Sequence, residues 1–204
     1  SEENPNKPNT DPLPEPEKEL PFTDVKKSDW SYKAIKYMYD NKYISGTTST
    51  TFSPKMKLTR GMLVTILHNM EGKPNVSGKS KFPDVQNTNE YYYSAVKWAS
   101  KNNIVNGYNN GKFGPNDPIT REQLAVMLNQ YSIYKGTYQK TNADFSKFSD
   151  SNKISDFAKW GMNWAVGTGV ITGTTEKTLI PQGTASREEA ATMIYKYFLS
   201  LKNS

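Results

Sequence analysis

Three arginines divide the chain into copies of one unit. Arg60, Arg121 and Arg187 each follow Thr59, Thr120 or Ser186. Fourteen residues before each arginine lies a glycine (Gly46, Gly107, Gly173), eight before lies Phe52, Phe113 or Leu179, and six before lies Pro54, Pro115 or Pro181. Farther upstream stand Phe22-Thr-Asp24-Val, Phe82-Pro-Asp84-Val and Phe148-Ser-Asp150, with Phe-to-Arg spacings of 38, 39 and 39. Such spacing, kept three times, makes the chain a tandem array with a unit of about 55 residues. The joint between units two and three is five residues longer than the first, 27 against 22 from arginine to the next phenylalanine.

Each unit reads as two helices around an irregular loop. The first helix is expected over about 30–42, 90–102 and 156–167, where Ala34, Ile35, Met38 and Tyr39, or Ala95, Val96 and Ala99, recur at helical spacing. It should stop near Gly46, Gly107 or Gly173, where a loop can take positive φ. The second helix begins at the Thr or Ser before each arginine, a good N-cap. Gln123 and Glu189 complete capping boxes that Met62 breaks in unit one. Leu63, Ile66, Leu67 and Met70 form its apolar stripe, matched by Leu124, Met127, Leu128 and Tyr131 and by Ala190, Met193, Ile194 and Tyr197. A two-helix unit this small buries too little by itself. Three copies sharing one core predict a mainly α, compact body with no long strand.

Composition narrows the chemistry. The 204 residues include no Cys and one His, which excludes disulfides, thiolate catalysis, Cys-based zinc sites and any two-His metal site. There is no GxSxG, Walker loop or GxGxxG, and no apolar run long enough to span a bilayer. No cofactor is implied. Residues 1–20 carry a net charge of −4 and, from Pro5 to Pro21, six of the twelve prolines. They read as an extended linker, expected to tether a cargo domain N-terminal to it. The remaining residues carry +10. Their lysines form no dense run, which gives little support for nucleic acid.

The arginines sit where helix physics disfavours them. A helix N-terminus already carries roughly half a positive charge, and a cation there costs about 0.3–1 kcal/mol. Three such placements suggest that an anion comes to the site, since a guanidinium grips a carboxylate through two parallel bonds. The other reading pairs each arginine with an internal acid, Asp24, Asp84 or Asp150. Those aspartates could accept sugar hydroxyls or cap a turn. The three glycines could line a surface approached by ligand or simply end a helix. Trp30, Tyr91, Trp98, Trp160 and Trp164 could stack on sugar rings or fill the core, and the register that Trp98 and Trp164 share with Tyr37 favours packing. His68, alone in mid-helix, reads as structural.

Phe-x-Asp-Val, the loop glycine, Phe-x-Pro and [Ile/Leu]-Thr-Arg opening a helix resemble the S-layer homology (SLH) domain, over about residues 21–200. Ile119-Thr120-Arg121-Glu122 is similar to the family's Thr-Arg-Ala-Glu signature; Leu58-Thr59-Arg60-Gly61 lacks the acid, and Ala185-Ser186-Arg187-Glu188 has Ser for Thr. The resemblance divides the chain into the linker 1–20 and repeats 21–73, 74–140 and 141–204. It implies a pseudo-threefold assembly around a central three-helix bundle, most simply a monomer, with grooves between neighbouring repeats. It implies attachment of a surface protein to the cell wall of a Gram-positive-type organism through an acidic secondary cell wall polysaccharide bearing a pyruvyl ketal on an amino sugar. The carbohydrate-binding residues would be Arg60, Arg121, Arg187, Gly46, Gly107, Gly173, Asp24, Asp84, Asp150 and Trp30, with no catalytic or metal-binding residue. The departures suggest that repeats one and three bind less well or only support the fold. Rival readings are a protein-interaction or surface-lattice module that touches no glycan, a purely structural repeat, and a glycan-cleaving enzyme. The last is disfavoured because the repeated acids come in threes, with no unique carboxylate pair.

Overall fold

A computed structural model describes residues 18–202, so most of the expected linker lies outside the described residues. Among these residues are six α-helices: α1 (Tyr32–Asp40), α2 (Arg60–Met70), α3 (Tyr93–Lys101), α4 (Arg121–Tyr134), α5 (Lys159–Gly167) and α6 (Arg187–Lys202). Two 3-10 turns, Ser151–Lys153 and Asp156–Ala158, precede α5. β-Pairing among the described residues is confined to isolated bridges, as the expected mainly α fold requires.

The second helix of each repeat packs on the first helix of the next: α2 on α3, α4 on α5, and α6 back on α1. The array therefore closes into a ring. At its centre the residues just before α2, α4 and α6 form a triangle of backbone hydrogen bonds. Leu58 N–H donates to the Ala185 carbonyl (2.9 Å), Ala185 N–H to Ile119 (3.0 Å), and Ile119 N–H to Leu58 (2.8 Å). At the other end of the bundle the Tyr131 hydroxyl donates to Glu71 at the end of α2 (2.5 Å), and the Tyr131 ring meets that of Tyr197 on α6. Burial, aided by the Glu71 carboxylate, pushes the Tyr131 phenol far up, so it stays a donor. The α2, α4 and α6 stripes fill the interior, with only Met70 partly exposed. Trp98 and Trp164 are buried, so packing accounts for both.

The first helices end earlier than the marker glycines. The left-handed residues are Lys42 (φ 61°), Asn103 (φ 58°) and Gly169 (φ 79°), four positions upstream of Gly46, Gly107 and Gly173. Tyr43 N–H then bonds to the Met38 carbonyl, and Ile104 N–H to Ala99, closing helix caps. Of the marker glycines only Gly173 has positive φ (81°). All three are glycine because a ring lies against them: an added Cβ would stand 2.5 Å from Phe22, 2.6 Å from Phe82 and 2.5 Å from Phe148, respectively.

Candidate functional site: the grooves between repeats

Each signature arginine reaches out of its own repeat. Arg60 Nε donates to the Phe113 carbonyl (2.8 Å), Arg121 Nε to Leu179 (2.8 Å) and Arg187 Nε to Phe52 (2.9 Å). The order is cyclic, one to two, two to three and three to one. All three arginines are buried, and burial lowers their pKa; nearby acids or tyrosines oppose that shift. The internal partners are thus backbone carbonyls, not Asp24, Asp84 or Asp150.

The helix N-termini are not open to an anion through their first amides, contrary to the sequence expectation. The first two N–H groups of α2 donate to the Asp117 and Pro115 carbonyls, those of α4 to Gly183 and Pro181, and those of α6 to Met56 and Pro54. The third is capped by Thr59, Thr120 or Ser186. The expected capping boxes at Gln123 and Glu189 are both formed. Only the guanidinium tips remain for an outside anion. Those of Arg121 make no hydrogen bond to any described residue, while Arg60 and Arg187 each place one more N–H on a loop carbonyl, Asn106 and Ser45.

The aspartates brace the loops that receive the arginines. Asp24 accepts the N–H groups of Phe52 and Ser53, Asp84 those of Phe113 and Gly114, and Asp150 those of Leu179 and Ile180, all at 2.8–2.9 Å. The second residue of each pair is left-handed (Ser53 φ 57°, Gly114 φ 71°, Ile180 φ 48°), a strained conformation for a β-branched Ile. Burial pushes Asp84 and Asp150 up, but the backbone donors outweigh it and hold both carboxyls below their usual range. Asp24, Asp84 and Asp150, which the sequence offers to sugar hydroxyls or to turns, each use both carboxylate oxygens on backbone N–H groups within their own repeat.

Two grooves stand open. One, a cavity of about 300 Å³, is lined by Arg121 from repeat two, the 170–174 loop and α6 from repeat three, and Trp30 from repeat one. The other, about 400 Å³, is lined by Arg187, the 43–47 loop with α2, and Tyr91. Each groove therefore draws on all three repeats, and Gly46 and Gly173 lie on the walls. Trp30 and Tyr91 hold the residue before the N-cap of α1 and α3, and both are largely exposed (61% and 55%). Phe157 holds that place before α5 and is 62% exposed. Equal distance from the N-cap was the signal that would have added it to Trp30 and Tyr91. The wall facing Arg121 also carries Glu189 and Lys196, two and nine residues beyond the Arg187 marker; their counterparts facing Arg187 are Met62 and Asn69.

The profile of the S-layer homology domain matches residues 21–61, 81–125 and 147–191. The chain belongs to the SLH family. It is 34% identical over 175 residues to an endoglucanase of Bacillus sp. (strain KSM-635), covering 86% of this chain and 18% of that protein. It is 31% identical over 173 residues to a surface-layer 125 kDa protein of Lysinibacillus sphaericus, covering 82% and 14%. To an amylopullulanase of Thermoanaerobacterium thermosulfurigenes it is 30% identical over 176 residues, covering 85% and 9%. The chain spans less than a fifth of each of these three relatives, and proteins with such different names share this stretch. The SLH region is a non-catalytic anchoring module of surface proteins, and the chain is placed at the cell wall or cell surface.

The acid of the SLH signature is also structural here. Glu122 accepts the N–H and hydroxyl of Ser155 (3.0 and 2.7 Å), and Glu188 accepts the Ser31 hydroxyl (2.8 Å) and pairs with Lys55. These bonds tie the start of a second helix to the start of the next repeat's first helix. In repeat one Gly61 replaces the acid; an added Cβ there would lie 3.2 Å from the Tyr92 ring and 2.7 Å from the Pro115 carbonyl. Tyr92 stands at the N-cap position that Ser31 holds in repeat one, so a ring fills the space used elsewhere by a carboxylate.

Proposed function

We propose that this SLH triplet anchors its parent protein non-covalently to an acidic secondary cell wall polysaccharide by docking sugar carboxylates, such as a pyruvyl ketal on an amino sugar, in the inter-repeat grooves. The observation that carries the reading is Arg121. Its charge lies on the wall of a cavity the size of a sugar residue or two, its terminal nitrogens have no hydrogen-bond partner among the described residues, and exposed Trp30 lies on the same wall. A carboxylate could take both N–H groups of the guanidinium edge while a sugar face rests on the indole. The Arg187 groove offers Tyr91 in the same relation. Two grooves on one rigid body let a polymer with several acidic sugars bind at high effective concentration, so modest single sites can hold a cargo at the wall. The cargo is taken to precede the acidic linker.

Titration of the chain with a short pyruvylated wall fragment tests this. Saturable binding that is lost when the ketal is removed is the expected result, with Arg121→Ala weakening affinity at its own groove at least tenfold, about 1.4 kcal/mol. Equal affinity for the fragment without its ketal would overturn the carboxylate reading. Retention on wall sacculi stripped of their secondary polymer would favour a protein or peptidoglycan partner instead.

A further inference from the structure

The third groove is built differently. Thirteen residues before the arginines stand Thr47, Tyr108 and Thr174. Thr47 and Thr174 line the two open grooves. In repeat two the Tyr108 ring lies over the Arg60 guanidinium, 4.5 Å from ring centroid to Cζ. Phe113 covers the same guanidinium at 4.8 Å, as Phe52 covers Arg187 at 4.6 Å. Tyr108 is therefore the additional ring, at a position where the other repeats have a small side chain.

Two further differences in repeat two fit this ring. The Tyr108 hydroxyl donates to Asp117 Oδ2 (3.0 Å); the matching positions are Met56 and Gly183, which cannot accept through a side chain. At Gly114 an added Cβ would meet Tyr108 at 2.5 Å, whereas the matching positions are Ser53 and Ile180. An isolated Thr-to-Tyr change would clash with a side chain at position 114 and leave the phenol without its acceptor. All three positions differ together from those of the other repeats, and they lie against one another. Asp117 also brings negative charge toward Arg60. Repeat two thus brings a ring and an acid of the protein itself to Arg60, where in the other grooves the proposed ligand would bring its sugar ring and carboxylate.

We infer that Tyr108, latched by Asp117 over Gly114, is a built-in plug that occupies the ligand's place at Arg60, so that the chain binds two acidic sugars and uses its third arginine only to close the ring. This rests on the anchoring reading above. Calorimetric titration with the short pyruvylated wall fragment should give two sites for the wild-type chain and three for Tyr108→Thr, which copies Thr47 and Thr174. Adding Arg60→Ala to Tyr108→Thr should return the count to two. Tyr108→Phe keeps the ring and removes only the latch, and should stay at two; if the threonine variant proves too unstable by circular dichroism, Tyr108→Ser takes its place, and two sites in that folded chain would reject the plug. Three sites in the wild type, or two in a folded Tyr108→Thr chain, would overturn the plug while leaving the anchoring reading intact. No binding by any of these proteins would overturn the anchoring reading and the plug with it.

Discussion

The inner belt and the rim of the ring follow opposite rules. In the belt, each position is matched in all three repeats: the hydrogen-bonded triangle of Leu58, Ile119 and Ala185, the aspartate braces, and the arginines that cross to the next loop. On the rim the matched positions diverge: Thr47, Tyr108 and Thr174; Met62, Gln123 and Glu189; Asn69, Gln130 and Lys196; Trp30, Tyr91 and Phe157. Residues that repeat hold the three units together. In the proposed complex, residues that do not repeat would decide what each groove accepts. The arginines belong to both regions, Nε to the belt and the terminal nitrogens to the rim.

The sharpest way to break that division is at a residue that belongs to the belt alone. Asp150→Ala removes two charge-assisted bonds and leaves two N–H groups at a strained loop unpaired. It should cost about 3 kcal/mol of stability, since bonds to charged groups contribute about 1.5–3 kcal/mol each and do not add fully. Chemical denaturation measures this loss. Wall-fragment affinity per folded molecule should be unchanged, and a tenfold drop in it would put the aspartate on the rim.

Arg60→Ala and Arg187→Ala divide the arginine's two roles. Both leave a buried carbonyl without its donor, Phe113 or Phe52, and both should lower stability by about 1–3 kcal/mol. Only Arg187→Ala should also weaken fragment binding, by about tenfold, because the Arg60 groove is already filled. Equal binding losses in the two variants would erase the distinction between open and closed grooves.

The belt was the part most legible in the sequence. Spacing located the three units, the N-caps at Thr59, Thr120 and Ser186, and the arginines, because the same local physics acts three times. What it could not supply was the partner across the ring. Arg60 and Phe113 lie 53 residues apart, and nothing local announces that a guanidinium will meet a carbonyl. For the same reason the helix N-termini looked available to an anion, although neighbouring loops occupy their first amides. Sequence alone offers the glycines as a ligand-facing surface or as helix ends; what requires glycine there is Phe22, Phe82 and Phe148, whose rings arrive through tertiary folding. The departures at Gly61 and Ser186 point to repeats one and three, whereas the ring over Arg60 comes from Tyr108 in repeat two.

A smaller effect should appear on acidification. The carboxyls of Asp84 and Asp150 are depressed in the folded chain, so their contribution to stability is complete above the unfolded value near 3.9 and is lost as pH falls through the folded values. With respect to these groups, thermal unfolding should be insensitive to pH between about 7 and 5 and should decline below about 4. Asp150→Asn should flatten that decline, and a slope identical to that of the wild type would remove Asp150 from the braces that titrate.

Lys196 gives the smallest effect on stability and separates belt from rim by sign. Burial, and then the nearby Arg121 charge, hold its pKa below the usual lysine range. A base whose pKa is lowered by folding lessens stability while charged, and that penalty disappears only as pH rises through the folded value toward the unfolded one near 10.4. Lys196→Met keeps the apolar stem, removes the repulsion and gives up one bond to Thr172. It should therefore raise stability by about 0.5 kcal/mol at neutral pH, a modest change typical of partly exposed charges. In the proposed complex an incoming carboxylate relieves the repulsion between Lys196 and Arg121. The same substitution should weaken binding at this groove about three- to tenfold, leaving the Arg187 groove, which has Asn69 at the matching position, unaffected. A variant that is both less stable and fully competent to bind would return Lys196 to the belt.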